Sequence, residues 1–319
     1  MPQPDLFVGI DVAKNELVVR LHPLGEEWRF PNDKAGLKAL ERRLKALAAR
    51  YHLLIGFEAT GGYERKLAAL LDRLGLTAYL LDPARVRSFA RAERQLAKTD
   101  PLDAAVIARC LAALHPELTP YRHDPQAARL AEHVRMRDLA VAQRIQLGNQ
   151  LESLDDPAMR RLVKAQVGKL KALALRIEKA IAALIAASPD LATRDRLLRS
   201  APGIGPIVAA CLHAHMPELG MLSSRQAAAL AGVAPFDRQS GATRKPGRCT
   251  GGRPAVRRCL YLAALAIARS KKGPLAQTCQ RLRDNGKPAK VALVATMRKL
   301  IITLILLSHE IVAGGGFAD

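Results

Sequence analysis

Three short apolar runs, each stopping at a carboxylate, constrain this chain more than any other feature: Leu6 to Val12 with Asp11 near its end, Leu53 to Phe57 followed by Glu58, and Thr77 to Leu81 followed by Asp82. Runs this short suit the core of a sheet better than a helix, above all the first, Leu-Phe-Val-Gly-Ile-Asp-Val. Leu and Ala recur at helical spacing over 34–51, and a second helix is expected from about Tyr63 to Leu74, after the break at Gly61-Gly62. Strands alternating with helices predict an α/β sheet with a site along one edge. A carboxylate that ends a buried strand costs free energy unless it is solvated, paired or bound to metal. Residues 16–22, a glycine-containing turn from Pro23 to Glu26, and residues 27–30 add antiparallel strands beside the first.

The stretch Lys98-Thr99-Asp100-Pro101-Leu102-Asp103-Ala104 supplies two further acids. At i and i+3 on a helix beginning here, Asp100 and Asp103 project from one face about 5–6 Å apart at Cβ, a spacing that suits a divalent cation. The same residues also read as a helix start, with Asp100 as N-cap, Pro101 at the first helical position and Asp103 at the third. The two roles are compatible. Together with Asp11 and Glu58 they provide the hard oxygen ligands of a two-metal phosphodiester site. Asp82 is left as a turn former before Pro83. Between Ala84 and Lys98 the chain is basic (Arg85, Arg87, Arg91, Arg94, Lys98). That pattern fits either a solvated helix face or phosphate contacts beside the acids.

Residues 124–190 carry two long helical patterns separated by Asp155-Asp156-Pro157. In the second, Val163, Val167, Leu170, Ala174, Ile177, Ile181 and Leu184 step alternately by four and three, which predicts a helical hairpin or a coiled coil suited to dimerisation. Pro202-Gly203-Ile204-Gly205-Pro206 opens the next helix, and its backbone N–H groups suit a phosphate as well as an ordinary tight turn. From Ala234 to Pro254 the composition is too polar and basic for a core. A loop is expected there, with Ser240 flanked by Gly241 among Arg238, Arg244, Lys245 and Arg248, and Arg253 following. Helices at about 255–270 and 288–308 are joined by a basic segment, Lys271 to Lys287, and His213 and His215 read as packing or surface residues.

The chain carries 50 Lys+Arg against 29 Asp+Glu, a formal +21, and residues 191–300 hold 20 of those cations with only Asp195, Glu218, Asp237 and Asp284 opposing them. A polyanionic partner follows, with its main surface in the C-terminal part. A membrane is the rival polyanion. Against it, no uninterrupted apolar run of about 18 residues occurs and the N-terminus lacks a basic segment leading into an apolar one, so a cytoplasmic protein is expected. Five scattered cysteines without a C-x-x-C suggest neither a disulfide framework nor a zinc site.

Read in order, Gly9-Ile10-Asp11-Val12-Ala13-Lys14, Phe57-Glu58-Ala59-Thr60-Gly61, Lys98 to Ala104, Pro202-Gly203-Ile204-Gly205 and Ser240-Gly241 resemble the DEDD transposases of the "one-ten" insertion sequences, relatives of the Piv site-specific invertase. The resemblance runs from about residue 5 to 305. It implies an α/β N-terminal domain of RuvC-like, RNase H fold (1–123), whose catalytic, metal-binding acids are Asp11, Glu58, Asp100 and Asp103. A coiled-coil helical connector (124–190) and a mostly helical C-terminal transposase domain (191–319) would follow, the latter with a helix-hairpin-helix-like turn and Ser240 as nucleophile. The implied reaction is Mg²⁺- or Mn²⁺-dependent DNA strand cleavage and exchange through a covalent 5′-phosphoserine link. The implied partners are donor and target DNA and a structured bridge RNA, within a homo-oligomer from dimer to tetramer. Two other readings compete: a RuvC-type junction-resolving nuclease, which would use the acids and water without Ser240, and a non-catalytic nucleic-acid-binding protein.

Overall fold

The structure, a computed structural model, describes residues 3–93, 100–240 and 243–314, leaving aside the side chains of 100–102, 236–246, 248 and 310–314. The chain divides into two compact units, residues 1–125 and 126–319.

The first unit runs β1 (Asp5–Val12), β2 (Glu16–His22), β3 (Glu27–Pro31), α1 (Lys34–Ala48), β4 (His52–Glu58), α2 (Arg65–Arg73), β5 (Thr77–Leu81), α3 (Pro83–Ala92) and α4 (Asp100–Leu114). The five-stranded sheet has the order β3-β2-β1-β4-β5. β1, β2 and β3 are antiparallel neighbours, whereas β4 is parallel to β1 and β5 to β4. Because side chains alternate along a strand, both faces need cover. Leu6, Val8 and Ile10 face Leu40 and Leu44 of α1 and Leu67 and Leu71 of α2. On the opposite face, Leu54, Tyr79 and Leu81 pack with Val86 of α3 and with Val106, Ile107, Cys110 and Leu111 of α4. Each fully buried leucine contributes about 1.5–3 kcal/mol.

The second unit opens with α5 (Pro125–Gln150) and α6 (Pro157–Ala186), the two long helices expected from periodicity. Leu170, Ala174 and Ile181 of the seam are buried, while Val163, Val167, Ile177 and Leu184 are half-buried. Ile181 and Ile185 join a core that includes Leu130 and Val134 of α5, and Arg137 bonds Glu178 at 2.8 Å across the pair. The two helices therefore form a helical hairpin whose seam faces its own chain.

The chain continues through α7 (Pro189–Ser200), α8 (Pro206–His215), α9 (Ser224–Leu230), β6 (Pro235–Ser240), β7 (Thr243–Cys249), α10 (Pro254–Ser270), α11 (Gly273–Asp284) and α12 (Ala289–Gly314). Small residues let the helices approach closely: Ala209 and Ala210 of α8, Ala227 and Ala228 of α9 and Ala263 and Ala264 of α10 are all buried with Leu300, Ile301 and Leu304 of α12. The segment Ala289–His309 is long and apolar enough to cross a membrane, with a mean hydropathy of 2.0. In this unit it is a core helix, packed on α7, α9, α10 and α11. Arg298 and Lys299 interrupt its apolar run, which is why run length alone did not single it out.

The stretch 234–254 departs from the sequence expectation. It is not a loop throughout but contains an antiparallel two-stranded ribbon, β6 with β7, with a bulge between Phe236 and Arg238. A two-stranded ribbon has no buried face to impose alternation of apolar and polar residues, so no period in the sequence marked it.

Candidate active site

The strand register builds the site. Gly9 of β1 lies opposite Gly56 of β4, and Ile10 opposite Phe57, so Asp11 and Glu58 are the next residues of two parallel neighbours. With a period of two, both acids stand on the sheet face that carries the two glycines. That face is covered by α4. A Cβ built on Gly9 would collide with the Ala104 carbonyl and stand 2.9 Å from the Ala108 methyl, and one on Gly56 would meet Leu111 Cδ2 at 3.2 Å. The absence of side chains at these two positions lets α4 lie directly on the sheet, which carries Asp103, the residue before Ala104, to the ends of β1 and β4.

The electrostatics agree with this placement. The Glu58 carboxyl is pushed up to about 7, first by burial and then by the negative charge of Asp11, with Asp103 and Asp82 adding to it and Arg87 opposing it. Asp11, Glu58 and Asp103 are therefore brought together. Asp100 begins α4 one turn before Asp103, and its side chain lies outside the described set. Among the described residues no group of three or more His, Cys, Asp or Glu is arranged as a ready metal site. The donor chemistry nevertheless fits a hard divalent cation, because oxygen ligands crowded closely enough to suppress one another's ionisation are what such a cation relieves.

Of the basic residues after β5, Arg87 acts on Glu58, Arg91 is exposed, and Arg85 pairs with Glu117 at 3.4 Å. Arg94 and Lys98 lie outside the described residues. Asp82 is the N-cap of α3, accepting from the Ala84 N–H at 2.8 Å, in keeping with its expected turn role.

Two supports went unnoticed in the sequence. Glu64 Oε2 accepts from the Thr60 N–H, the Thr60 hydroxyl and the Gly62 N–H at 3.0, 3.0 and 2.8 Å, tying down the loop that leaves Glu58. Burial pushes its pKa up, but the N–H groups of Glu64, Gly62 and Thr60 and the Thr60 hydroxyl outweigh this and hold it below the usual value. Arg109 of α4 grips both carboxylate oxygens of Glu93, the residue that ends α3, at 2.9 to 3.2 Å. Acid and partner at four-residue spacing, as in Thr60 and Glu64, was a signal available in the sequence. The Arg109–Glu93 fork had none.

In the second unit Ser240 is the last residue of β6, opposite Thr243, with Gln239 opposite Arg244, Arg238 opposite Lys245 and Phe236 opposite Arg248. The backbone thus gathers the expected serine and arginines in one ribbon. Arg253, the N-cap of α10, bonds the His215 carbonyl at 2.7 Å and Glu218 at 2.5 Å, which ties it to its own unit. Gly203 (φ 76°) leaves no room for a side chain, since a Cβ would sit 2.7 Å from the Ala263 carbonyl of α10, whereas a Cβ at Gly205, the N-cap of α8, would meet nothing within 4 Å. His213 is buried beside Asp195, Nε2 to Oδ1 3.6 Å, in accord with a packing role.

A sheet with carboxylates at its strand ends, joined to a basic helical unit, is the build of a nucleic-acid-processing enzyme. Residues 8–156 match the family model of DEDD transposases, and residues 195–280 match a second, described as "Transposase IS116/IS110/IS902 family". The chain belongs to this transposase family, whose members are DNA-modifying enzymes that bind DNA. It is similar to the pilin gene-inverting proteins of Moraxella bovis and Moraxella lacunata, each 26% identical over 303 residues, covering 92% of this chain and 93% of the relative. A Sinorhizobium fredii protein bearing a transposase name, y4rJ, is also 26% identical, over 94% of this chain and 90% of its own length.

Proposed function

We propose that the chain is a recombinase that cuts and rejoins DNA at an acidic site made by Asp11, Glu58, Asp100 and Asp103, with Ser240 as the covalent nucleophile. The observation that carries this reading is the convergence of Asp11 and Glu58, at the ends of β1 and β4, with Asp103 of α4, expressed in the raised pKa of Glu58. The four acids would hold Mg²⁺ or Mn²⁺, which supplies charge stabilisation for the attacking and leaving oxygens of a phosphodiester. Ser240 Oγ attacks the scissile phosphorus and becomes joined to the 5′ side as a phosphoserine ester, while the 3′ oxygen leaves as a hydroxyl. Attack by another 3′-hydroxyl on that ester then restores a phosphodiester and frees the serine. The bond energy is conserved, as strand exchange requires. Arg238, Arg244, Lys245 and Arg248, in the same ribbon as Ser240, would hold the phosphate, and Arg85, Arg87, Arg91, Arg94 and Lys98 would follow the DNA backbone near the acids.

The remainder of the reading rests on the family resemblance. The first unit would be a RuvC-like RNase H fold, a proposal supported by the strand order β3-β2-β1-β4-β5 with its first three strands antiparallel. In three domains, 1–123, 124–190 and 191–319, the middle segment would be a coiled-coil hairpin within one chain that connects the other two, and copies of the chain would associate as a dimer or tetramer. A bridge RNA would select donor and target DNA by base pairing, leaving the protein to recognise backbone and shape. The protein would act in the cytoplasm.

The test is a denaturing gel of protein incubated with Mg²⁺, the element's flanking RNA and junction DNA. Wild type should give a protein–DNA adduct that Ser240→Ala abolishes. Asp11, Glu58 and Asp103 come together within residues 1–125, and this favours one alternative, a junction-resolving nuclease using water. Cleaved DNA with no adduct, equally strong in Ser240→Ala, would establish that alternative.

A further inference from the structure

The corner between α10 and α11 gathers cations that neither the acids nor the serine ribbon uses. Lys271, with φ 55°, turns the chain out of α10 in the left-handed region, and α11 then runs back beside it. Between them lies a cavity of about 420 Å³. Its lining residues include the buried Cys279, Gln277, Gln280 and the three cationic residues Lys271, Arg281 and Arg283.

Other arginines of this unit are neutralised by acids: Arg137 by Glu178, Arg199 by Asp195, Arg253 by Glu218 and Arg258 by Asp138. Among the described residues Lys271, Arg281 and Arg283 form no such ion pair. The one acid in the lining, Asp284, accepts a hydrogen bond from Gln280 Nε2 at 2.7 Å. Lys272, the exposed N-cap of α11, follows Lys271 directly at this corner. Cations held together without acids are favoured only when a polyanion or solvent neutralises them, and a concave site of this volume, within the range of nucleotide-sized ligands, favours the polyanion. The serine ribbon joins α10 at Pro254, whereas Ala268 and Lys271, which line the cavity, stand at the opposite end of this helix, itself about 25 Å long.

We propose that this depression is a phosphate-binding groove for a DNA strand, a second anchoring point at the end of α10 remote from its junction with the serine ribbon. The proposal rests on the recombinase reading and commits to DNA, the partner of transposases. It is tested with the full-length protein binding a fluorescent DNA duplex across a salt series. Combining Lys271→Gln, Arg281→Gln and Arg283→Gln should weaken binding about tenfold or more at roughly 0.1 M salt and lower the slope of log K against log salt by about 2–3. A charge-matched control, Lys34→Gln with Lys38→Gln and Arg42→Gln on α1, should change affinity by no more than about twofold on the same principle. Arg281→Lys with Arg283→Lys keeps the charge and should keep the slope, and circular dichroism checks that each variant folds. If the groove variant behaves like the control while wild type binds DNA, the groove proposal fails and the recombinase reading survives. A loss seen only with an RNA duplex also overturns it, assigning the groove to RNA. Failure of wild type to bind any DNA sinks both.

Discussion

Gly9 and Gly56 face each other across the parallel β1–β4 pair, and α4 rests on both. Side-chain absence is the structural device here: it sets the height of α4 over the sheet and thereby the distance of Asp103 from Asp11 and Glu58. The two positions differ in tolerance. At Gly9 the obstacle is backbone, the Ala104 carbonyl, whereas at Gly56 it is the side chains of Leu111 and Ile107.

Gly9→Ala should therefore destabilise the protein by about 2–3 kcal/mol in urea titration and remove DNA cleavage, because α4 must lift. Gly56→Ala should cost about 1 kcal/mol and leave measurable cleavage, since leucine and isoleucine rotamers can yield. Equal costs at both positions would refute this account of α4 seating.

Glu58 makes stability depend on pH in a defined direction. Its folded pKa of about 7 lies above the ordinary value of 4.5, so its contribution is fully present below about 4.5 and is lost as pH rises through 7. In the absence of divalent ions, Tm should fall over this window, and Glu58→Gln should flatten the fall. His213 acts in the opposite sense, because burial, aided by Arg194, lowers its pKa against the pull of Asp195, so its contribution is lost as pH falls below 6.5. The difference between wild type and Glu58→Gln isolates the carboxyl.

Mg²⁺ and protons compete for the same oxygens. Added Mg²⁺ should raise Tm more at pH 8 than at pH 5.5 in wild type, and by much less at either pH in Asp11→Asn. A Tm response to Mg²⁺ independent of pH would place the ion elsewhere.

Glu64 is a positioning residue. Glu64→Ala releases three hydrogen bonds at the loop after Glu58 and should lower cleavage at least about tenfold while DNA affinity is kept, with a stability loss of about 1–3 kcal/mol. Glu64→Gln, which can still accept through its amide oxygen, should recover part of the activity. Single-turnover cleavage measured beside binding isotherms separates the two effects.

The Arg109–Glu93 fork clips α4 to the end of α3 with both groups about 30% exposed. A double-mutant cycle with Arg109→Ala and Glu93→Ala should return a coupling of about 0.5–1 kcal/mol, reduced by high salt.

The acids at strand ends were legible in the sequence because their signals are local. Apolar runs, β propensity and the helical spacing of Asp100 and Asp103 lie within a few residues, and so did the hairpin of α5 and α6, written in a repeat of fours and threes. The ribbon holding Ser240 was not legible, since its pairing buries no face and leaves no period. Nor was the role of Gly9 and Gly56, which depends on a register between distant strands and on where a later helix crosses them. Residue types and local periodicity determined which groups this protein has to work with. Only tertiary packing decided which of them meet, because a carboxyl's ionisation, a glycine's necessity and an arginine's partner are set by neighbours that the chain brings from far along its length.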